Sequence, residues 1–323
     1  MKKFIIIISL VVGFSSCYED YVDDYDYDSI YFPYQIDVRT FVVGEGMAVK
    51  VGVSLGGTRE NDRNREVRYL IDNSLVSPET LSAMKGGAAY IKNAVNAVTE
   101  LKQLPANYYT VSDDQKFIIK KGEHSGLITL RPDSIKFLSD IATLTATYVL
   151  PLRITDGDAD SVITAKNYAV IGLKYENMLF GNYWHGGITI EKDAQGTVVS
   201  TKKYYTTIPS PDSKAWSLTT VSPFSLVTNG VSELSSSSKP EFKITLNGEE
   251  IIIDQLDGAT YEVLPDGEST YNQAKLLQDR KIFLNYKFQA ANGNWCYARD
   301  TLTFRNRTRD GVNEWQDENP SKY

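Results

Sequence analysis

From Ile30 onward, apolar and polar residues alternate with a period of two along most of the chain. In IYFPYQIDV, Ile30, Phe32 and Tyr34 fall on one side. In MAVKVGVSL, Met47, Val49, Val51, Val53 and Leu55 alternate with Ala48, Lys50, Gly52 and Ser54. Such alternation predicts half-buried β-strands. EVRYLID repeats it through Val67, Tyr69 and Ile71, and further strand patterns fall at 117–122, 126–132, 147–155 and 166–175. Pro151 lies opposite the face shared by Tyr148, Leu150, Leu152 and Ile154; having no N–H to donate, it predicts a sheet edge or a bulge. One segment departs from period two. Within 77–105, Ile91, Val95, Val98 and Leu101 are spaced by four, three and three, a helical stripe. Gly86 and Gly87 divide a short first helix from a longer second one, and Pro105 ends the run. About seven strands with one helical insertion predict an immunoglobulin-like β-sandwich over residues 30–175, without the Cys…Trp…Cys mark of antibody domains.

Residues 176–323 form a second all-β unit by the same reading. Strand patterns occur at 181–191, 197–207, 214–220, 240–247, 249–255, 281–290 and 294–304. Asn247-Gly248 and Asn292-Gly293 between such patterns are hairpin signals. Seven or eight strands with short turns, roughly, predict a small antiparallel β-barrel or a second sandwich. Along 294–304, Cys296, Ala298, Leu302 and Phe304 share one face, interrupted by Asp300, whereas Trp295 and Tyr297 point the other way. Cys296 is read as a buried structural thiol with no activating partner nearby.

The chain opens MKKFIIIISLVVGFSSC: two lysines, an apolar run from Phe4 to Phe14, then small residues before Cys17. This is the layout of a secretory signal, too short to span a bilayer. Cys17 after small residues resembles the cleavage site of bacterial lipoproteins, whose cysteine becomes the acylated first residue. Several acyl chains there would hold the chain to a membrane. Residues 18–29, YEDYVDDYDYDS, carry six acids and no base. Self-repulsion and scant apolar surface predict an extended tether. An acidic run at this place resembles the surface-export signal of Bacteroides-type lipoproteins.

Charge narrows the function classes. The formal net charge is −7. Removal of Lys2 and Lys3 with the signal makes it −9, and setting aside the six tether acids leaves 32 basic against 35 acidic residues. The folded part is nearly balanced and offers no basic patch for nucleic acid. With Cys17 acylated, Cys296 has no partner for a disulfide. The chain holds only two histidines, His124 and His185. No zinc spacing, phosphate loop or nucleophile elbow occurs, so no metal, cofactor or catalytic residue is assigned. Asp156, Asp158 and Asp160 alternate as in a calcium loop, but Ser161 and Asn167 stand where its Gly and Glu belong, and a polar turn is the better reading. Asp310, Glu314, Asp317 and Glu318 are read as a charged terminal loop, within pairing reach of Arg305, Arg307 and Arg309.

NYWHGG, FLNYKF and the tail FRNRTRDGVNEWQDENPSKY resemble the C-terminal domain of a family of Bacteroides surface lipoproteins. IYFP, LPANYYTV and TYVLPLRITD resemble the N-terminal domain that commonly precedes it. Both are domains of unknown function from gene clusters that capture and degrade polysaccharides. The resemblance covers residues 30–323 and implies glycan binding at the outer-membrane surface by association, with no site residues to transfer. An outer-membrane glycan-import complex is a further partner it allows.

All four tryptophans lie beyond residue 177, which makes the second unit the expected binding face. A flat aromatic covers the C–H face of a sugar, and polar side chains take the hydroxyls. Candidates are Trp216, Tyr205, Tyr204, Trp295, Tyr297 and Trp315, with Tyr183 also considered. Trp216 and Tyr205 are expected to be exposed beside polar loops, Trp184 to be core, and His185 to be a hydrogen-bonding residue at a strand end. The expected function is non-catalytic capture of an oligo- or polysaccharide. An adhesion or assembly subunit with a protein partner, or a glycoside hydrolase, are the alternatives.

Overall fold

The computed structural model describes residues 27–113, 115–204, 214–234 and 239–315, with the side chains of Lys214 and Trp315 left out. The signal, Cys17 and residues 18–26 of the acidic stretch lie outside these, as do Tyr205, Asp317 and Glu318. The end of the predicted tether is already part of the fold. The Asp28 carboxylate pairs with Arg65 at 2.6 Å and accepts from the Asp160 amide at 2.8 Å.

The first sheet uses β1 (Ser29–Tyr31), β2 (Ile36–Val43), β3 (Val49–Gly56), β4 (Arg65–Ile71), β5 (Lys116–Ile119), β6 (Ser125–Pro132), β7 (Tyr148–Gly157) and β8 (Tyr168–Asn177). Its order is β1-β3-β6-β5-β4-β7-β8-β2, antiparallel except that β2 runs parallel to β8. Ile30, Val53, Phe117, Ile128, Leu152 and Leu173 meet in one core. The IYFP pattern is interrupted: Ile30 and Phe32 are buried, but the chain turns after Pro33 and Tyr34 is exposed.

Two helices, α1 (Pro78–Gly86) and α2 (Ala89–Val95), stand where the helical stripe is. Pro78 occupies the first turn of α1, and the Ser77 hydroxyl caps it by accepting from the Thr80 amide at 3.2 Å, the favoured N-terminal chemistry. The second helix is shorter than expected, ending at Val95, yet Val98 and Leu101 are still buried. Both helices cover the outer faces of β2, β7 and β8 through Val38, Val149 and Val170. That cover explains why AVIGL in β8 is apolar on both faces. Close approach requires Gly172, where a Cβ would stand 2.8 Å from that of Ala146. Pro151 is not on an edge strand: β7 has partners on both sides. Its nitrogen faces the gap where the neighbour changes. Leu104 N–H donates to Val149 O at 2.9 Å and Asp72 N–H to Pro151 O at 3.0 Å, so no ladder bond is lost. Two of the three acids of 156–160 are engaged by the fold: Asp158 pairs with Arg63 at 3.1 Å, and Asp160 accepts from the Asp28 amide at 2.9 Å.

The second sheet uses β9 (Gly181–Lys192), β10 (Val198–Tyr204), β11 (Lys214–Ser222), β12 (Ser225–Thr228), β13 (Phe242–Asn247), β14 (Glu250–Gln255), β15 (Val263–Pro265), β16 (Thr270–Tyr271), β17 (Lys281–Gln289), β18 (Trp295–Arg309) and β19 (Val312–Trp315). Because β9 pairs with β18, the path β9-β11-β12-β13-β14-β16-β17-β18 closes on itself as an antiparallel barrel. The barrel form is therefore the one adopted. β10 extends it beside the far half of β9. The predicted hairpins at Gly248 and Gly293 are present, each glycine at positive φ (67° and 85°). As far as Trp315 the tail is a strand hairpin and not a loop. Asp310 and Gly311 lie at φ 50° and 80° and turn β18 into β19, the two left-handed positions of a type I′ hairpin.

Candidate ligand-binding site

An eight-stranded barrel is about wide enough to be filled by side chains or to hold one small ligand. Here it does both. Tyr183, Trp216, Phe242, Tyr286 and Phe304 fill one part. At the β9–β10 and β17–β18 hairpin end the interior opens into a cavity of about 360 Å³, within the usual range for ligand sites.

Strand alternation places the lining. Thr189 and Glu191 follow Tyr183 and His185 on the inner face of β9, Ser200 and Lys202 come from β10, Phe288 from β17 and Cys296 from β18. Ser232, Leu234, Tyr261 and Asn292 come from loops. One wall is apolar, with Tyr261 and Phe288 edge-to-face at 5.5 Å. The other is polar. Glu191 accepts hydrogen bonds from Asn292 Nδ2 at 2.8 Å, Asn294 Nδ2 at 2.7 Å and Ser200 Oγ at 2.9 Å. These donors, Asn292 foremost, hold its carboxyl below the usual range. The Lys202 ammonium sits 2.5 Å from Glu233, which raises its pKa. Burial first, then the Glu191 charge, pushes the Cys296 thiol up, so it is a packed thiol and not a poised nucleophile.

Beneath the cavity lies a buried polar network. Asp300, facing inward among apolar neighbours, accepts from Tyr204 Oη at 2.6 Å and Tyr286 Oη at 2.5 Å. The Ser232 amide donates to Tyr286 Oη at 2.6 Å, and Thr189 Oγ1 lies 2.7 Å from Tyr204 Oη. Thr189 and Ser232 thus belong both to the network and to the cavity floor. His185 stacks on Trp216 at 4.1 Å and 14°, with Nε2 3.2 Å from Asp300 Oδ2 but out of hydrogen-bond alignment.

The sequence candidates scatter relative to this site. Trp216 is 0% exposed, contrary to expectation. It shares the inward face of β11 with Leu218 and pairs with Tyr183, so strand alternation overrides the neighbouring polar loop. His185 is buried in mid-strand and not at a strand end. Tyr204 belongs to the network below the cavity. Trp184 is not core: it faces outward, half-buried, with the Arg305 guanidinium 4.5 Å over its ring. Trp295 and Tyr297 also lie half-buried on the outer face, with Lys287 at 5.5 Å and Lys192 at 4.5 Å from their ring centroids. Tyr205 and the side chains of Trp315 and Cys17 fall outside the described residues. Of the tail arginines, Arg307 and Arg309 pair with Glu314. Asp310 instead accepts from Thr40 Oγ1 at 2.8 Å, and burial raises its pKa.

Residues 25–161 match a family model for an N-terminal domain. None of the curated proteins matches the chain. A Bacteroides ovatus crystal structure of unknown function has a TM-score of 0.63 at 19% identity, over 90% of this chain and 98% of that one. It shares the fold across almost its full length. A second B. ovatus protein of unknown function gives 0.43 at 14% identity, over 90% and 100% of the two chains. A B. ovatus multidomain protein including DUF1735 gives 0.42 at 13%, over 91% and 98%.

Proposed function

We propose that the chain is a lipid-anchored protein of the outer-membrane surface that binds an oligo- or polysaccharide without cleaving it. One observation carries this reading. The barrel mouth sets an aromatic wall, Tyr261 and Phe288, against the fixed Glu191 carboxylate and the polar groups of Lys202, Ser200 and Asn292. An amphipathic sugar ring offers the complement, apolar C–H faces and hydroxyl edges. Hydrolysis fits less well. A glycosidase needs a carboxylic acid that holds its proton beside an ionised carboxylate. Glu191 is suited only to the ionised role, and the other carboxylate of the mouth, Glu233, is tied to Lys202. The anchor rests on the lysines, apolar run and small residues before Cys17, and the surface location on the acidic stretch after it.

A glycan array followed by calorimetry on the full-length protein tests the binding. Glu191→Ala and Tyr261→Ala should each weaken a saccharide hit on the order of tenfold, about one decade of dissociation constant. A flat response across plant, host and microbial glycans would overturn the reading, and a captured protein partner would return the adhesion alternative. Labelled fatty acid that appears on the wild type and not on Cys17→Ala tests the anchor.

A further inference from the structure

A larger cleft, about 610 Å³, lies at the other end of β18, between the helical insertion and the outer wall of the barrel. Residues of α2, β2 and β8 form one side, and those of β9, β11 and β18 the other. All but one of the charged groups on its wall are paired with opposite charge. Lys174 pairs with Glu176, and Arg307 and Arg309 pair with Glu314. Asp310 is held by Thr40. This exception, Asp310, has no ion pair among the described residues, and burial disfavours its charged form. The cleft therefore offers no cluster of spare charge to draw an ion. Uncharged polar groups are its open valences: the side chains of Asn93, Ser217 and Thr219 line it and have no hydrogen-bond partner among the described residues. Tyr90 and Phe180, both half-buried, supply ring surface.

We propose that this cleft is a second saccharide subsite, for a neutral, polyhydroxylated segment of the same polymer that engages the barrel mouth. The proposal rests on the saccharide reading of the mouth. Largely paired charge, unpartnered amide and hydroxyl groups and two rings suit a neutral sugar better than a phosphate, a carboxylate or a metal ion, for which a single carboxyl without an ion pair is no binding set. From Cys296 at the mouth to Thr308 at the cleft, β18 runs twelve residues, about 40 Å at ~3.3 Å per residue. One long chain can span that distance and a short fragment cannot. Two linked contacts on one polymer raise its affinity without any new contact.

The test titrates full-length protein with a soluble β-glucan, a galactomannan and a yeast α-mannan, each beside its own tetrasaccharide. Wild type should bind at least one polymer on the order of tenfold or more tighter than its tetrasaccharide. Ser217→Tyr, which fills the cleft from the outer barrel wall, should bring the polymer down to the tetrasaccharide's affinity and leave the latter unchanged. The double variant Asn93→Ala/Thr219→Ala, on exposed positions, should do the same and guards against misfolding of the first. Glu191→Ala should weaken the tetrasaccharide itself. Polymer affinity unchanged in both cleft variants, or no polymer advantage in wild type, overturns the second subsite and leaves the mouth standing. Loss of the mouth reading has a different signature: no polymer and no fragment binds at all, and the cleft proposal falls with it.

Discussion

Arg307 Nη2 donates to Glu45 Oε2 at 2.9 Å across the seam between the two sheets. Arg280 Nη2 donates to the other oxygen of the same carboxylate at 3.0 Å. Both guanidiniums are 3% exposed. The turn that carries Glu45, between β2 and β3, is thereby locked to the barrel. Burial alone would raise the Glu45 pKa, but the two arginines outweigh it and the net shift is downward. A carboxyl depressed in the folded state contributes stability above its unfolded value, about 4.3 for Glu, and that stability is lost as pH falls through the folded value. Glu45→Gln should cost about 2–3 kcal/mol at neutral pH by leaving buried Arg280 without a carboxylate and Arg307 with Glu314 alone. It should also flatten the fall in melting temperature below about pH 4.3. Melting curves of both proteins over that range check it, and parallel pH profiles would refute the role assigned to Glu45.

Trp216 is the plug of the barrel, enclosed by His185, Phe242 and Gly230. Trp216→Ala should destabilise by about 3–5 kcal/mol, the usual cost of truncating a buried aromatic. The affinity of the remaining folded protein for saccharide should change little. Gly230→Ala should also destabilise, by about 1–3 kcal/mol, because a Cβ there would overlap the indole. Denaturant unfolding combined with binding on the same samples separates core from contact. Selective loss of binding at unchanged stability would place Trp216 in a ligand site after all.

The network on Asp300 makes an alkaline prediction. Burial, then the Asp300 charge, pushes the Tyr204 and Tyr286 pKa values up. An acid whose folded pKa is raised keeps its proton while the unfolded chain loses it. Stability is therefore full below the ordinary value of about 10 and falls as pH rises past it. A spectrophotometric titration should show exposed tyrosines ionising near 10 and the buried ones ionising only with unfolding. Tyr286→Phe leaves an Asp300 oxygen and the Ser232 amide short of a partner. It should cost about 1–3 kcal/mol, read by urea melts at neutral pH.

Period-two patterning located most of the long strands because one face of each is wet, as in Val49–Leu55 and Trp295–Phe304. It also identified the helical insertion, though Val98 and Leu101 continue a buried stripe after helical geometry has stopped. The site was far less legible. Its polar wall is assembled from β9, β10 and a hairpin loop, and nothing local joins Glu191 to Ser200, Asn292 and Asn294 before the barrel closes. Two signals were present and pointed elsewhere than expected. Asp300 breaks the apolar face of its strand, which marks a buried polar partner set. Trp216 alternates with Leu218, and that alternation was better evidence of burial than the polar residues beside it were of exposure.

The tail hairpin carries one more signal of this kind, Asp310-Gly311, and it yields the last prediction. Gly311 sits at φ 80°, where a side chain is strained, and a Cβ there would stand 2.9 Å from the Tyr90 ring. Tyr90 in turn donates to Asp37 at 2.8 Å, so its ring has little freedom to withdraw. Gly311→Ala should cost about 1–2 kcal/mol from backbone strain alone, and more if Tyr90 is displaced. The effect should be local first: among the described residues β19 pairs with the end of β18 alone, and Glu314 on β19 is what neutralises Arg309. Hydrogen exchange at 312–315 should accelerate in the variant before the amides of β9 or β17 respond. The reverse Asp310→Gly change relieves the left-handed residue at φ 50° but removes the acceptor for Thr40. It should therefore loosen the contact with β2 while keeping the turn. Equal exchange rates at 312–315 in wild type and Gly311→Ala would show that the turn does not control how the tail is seated.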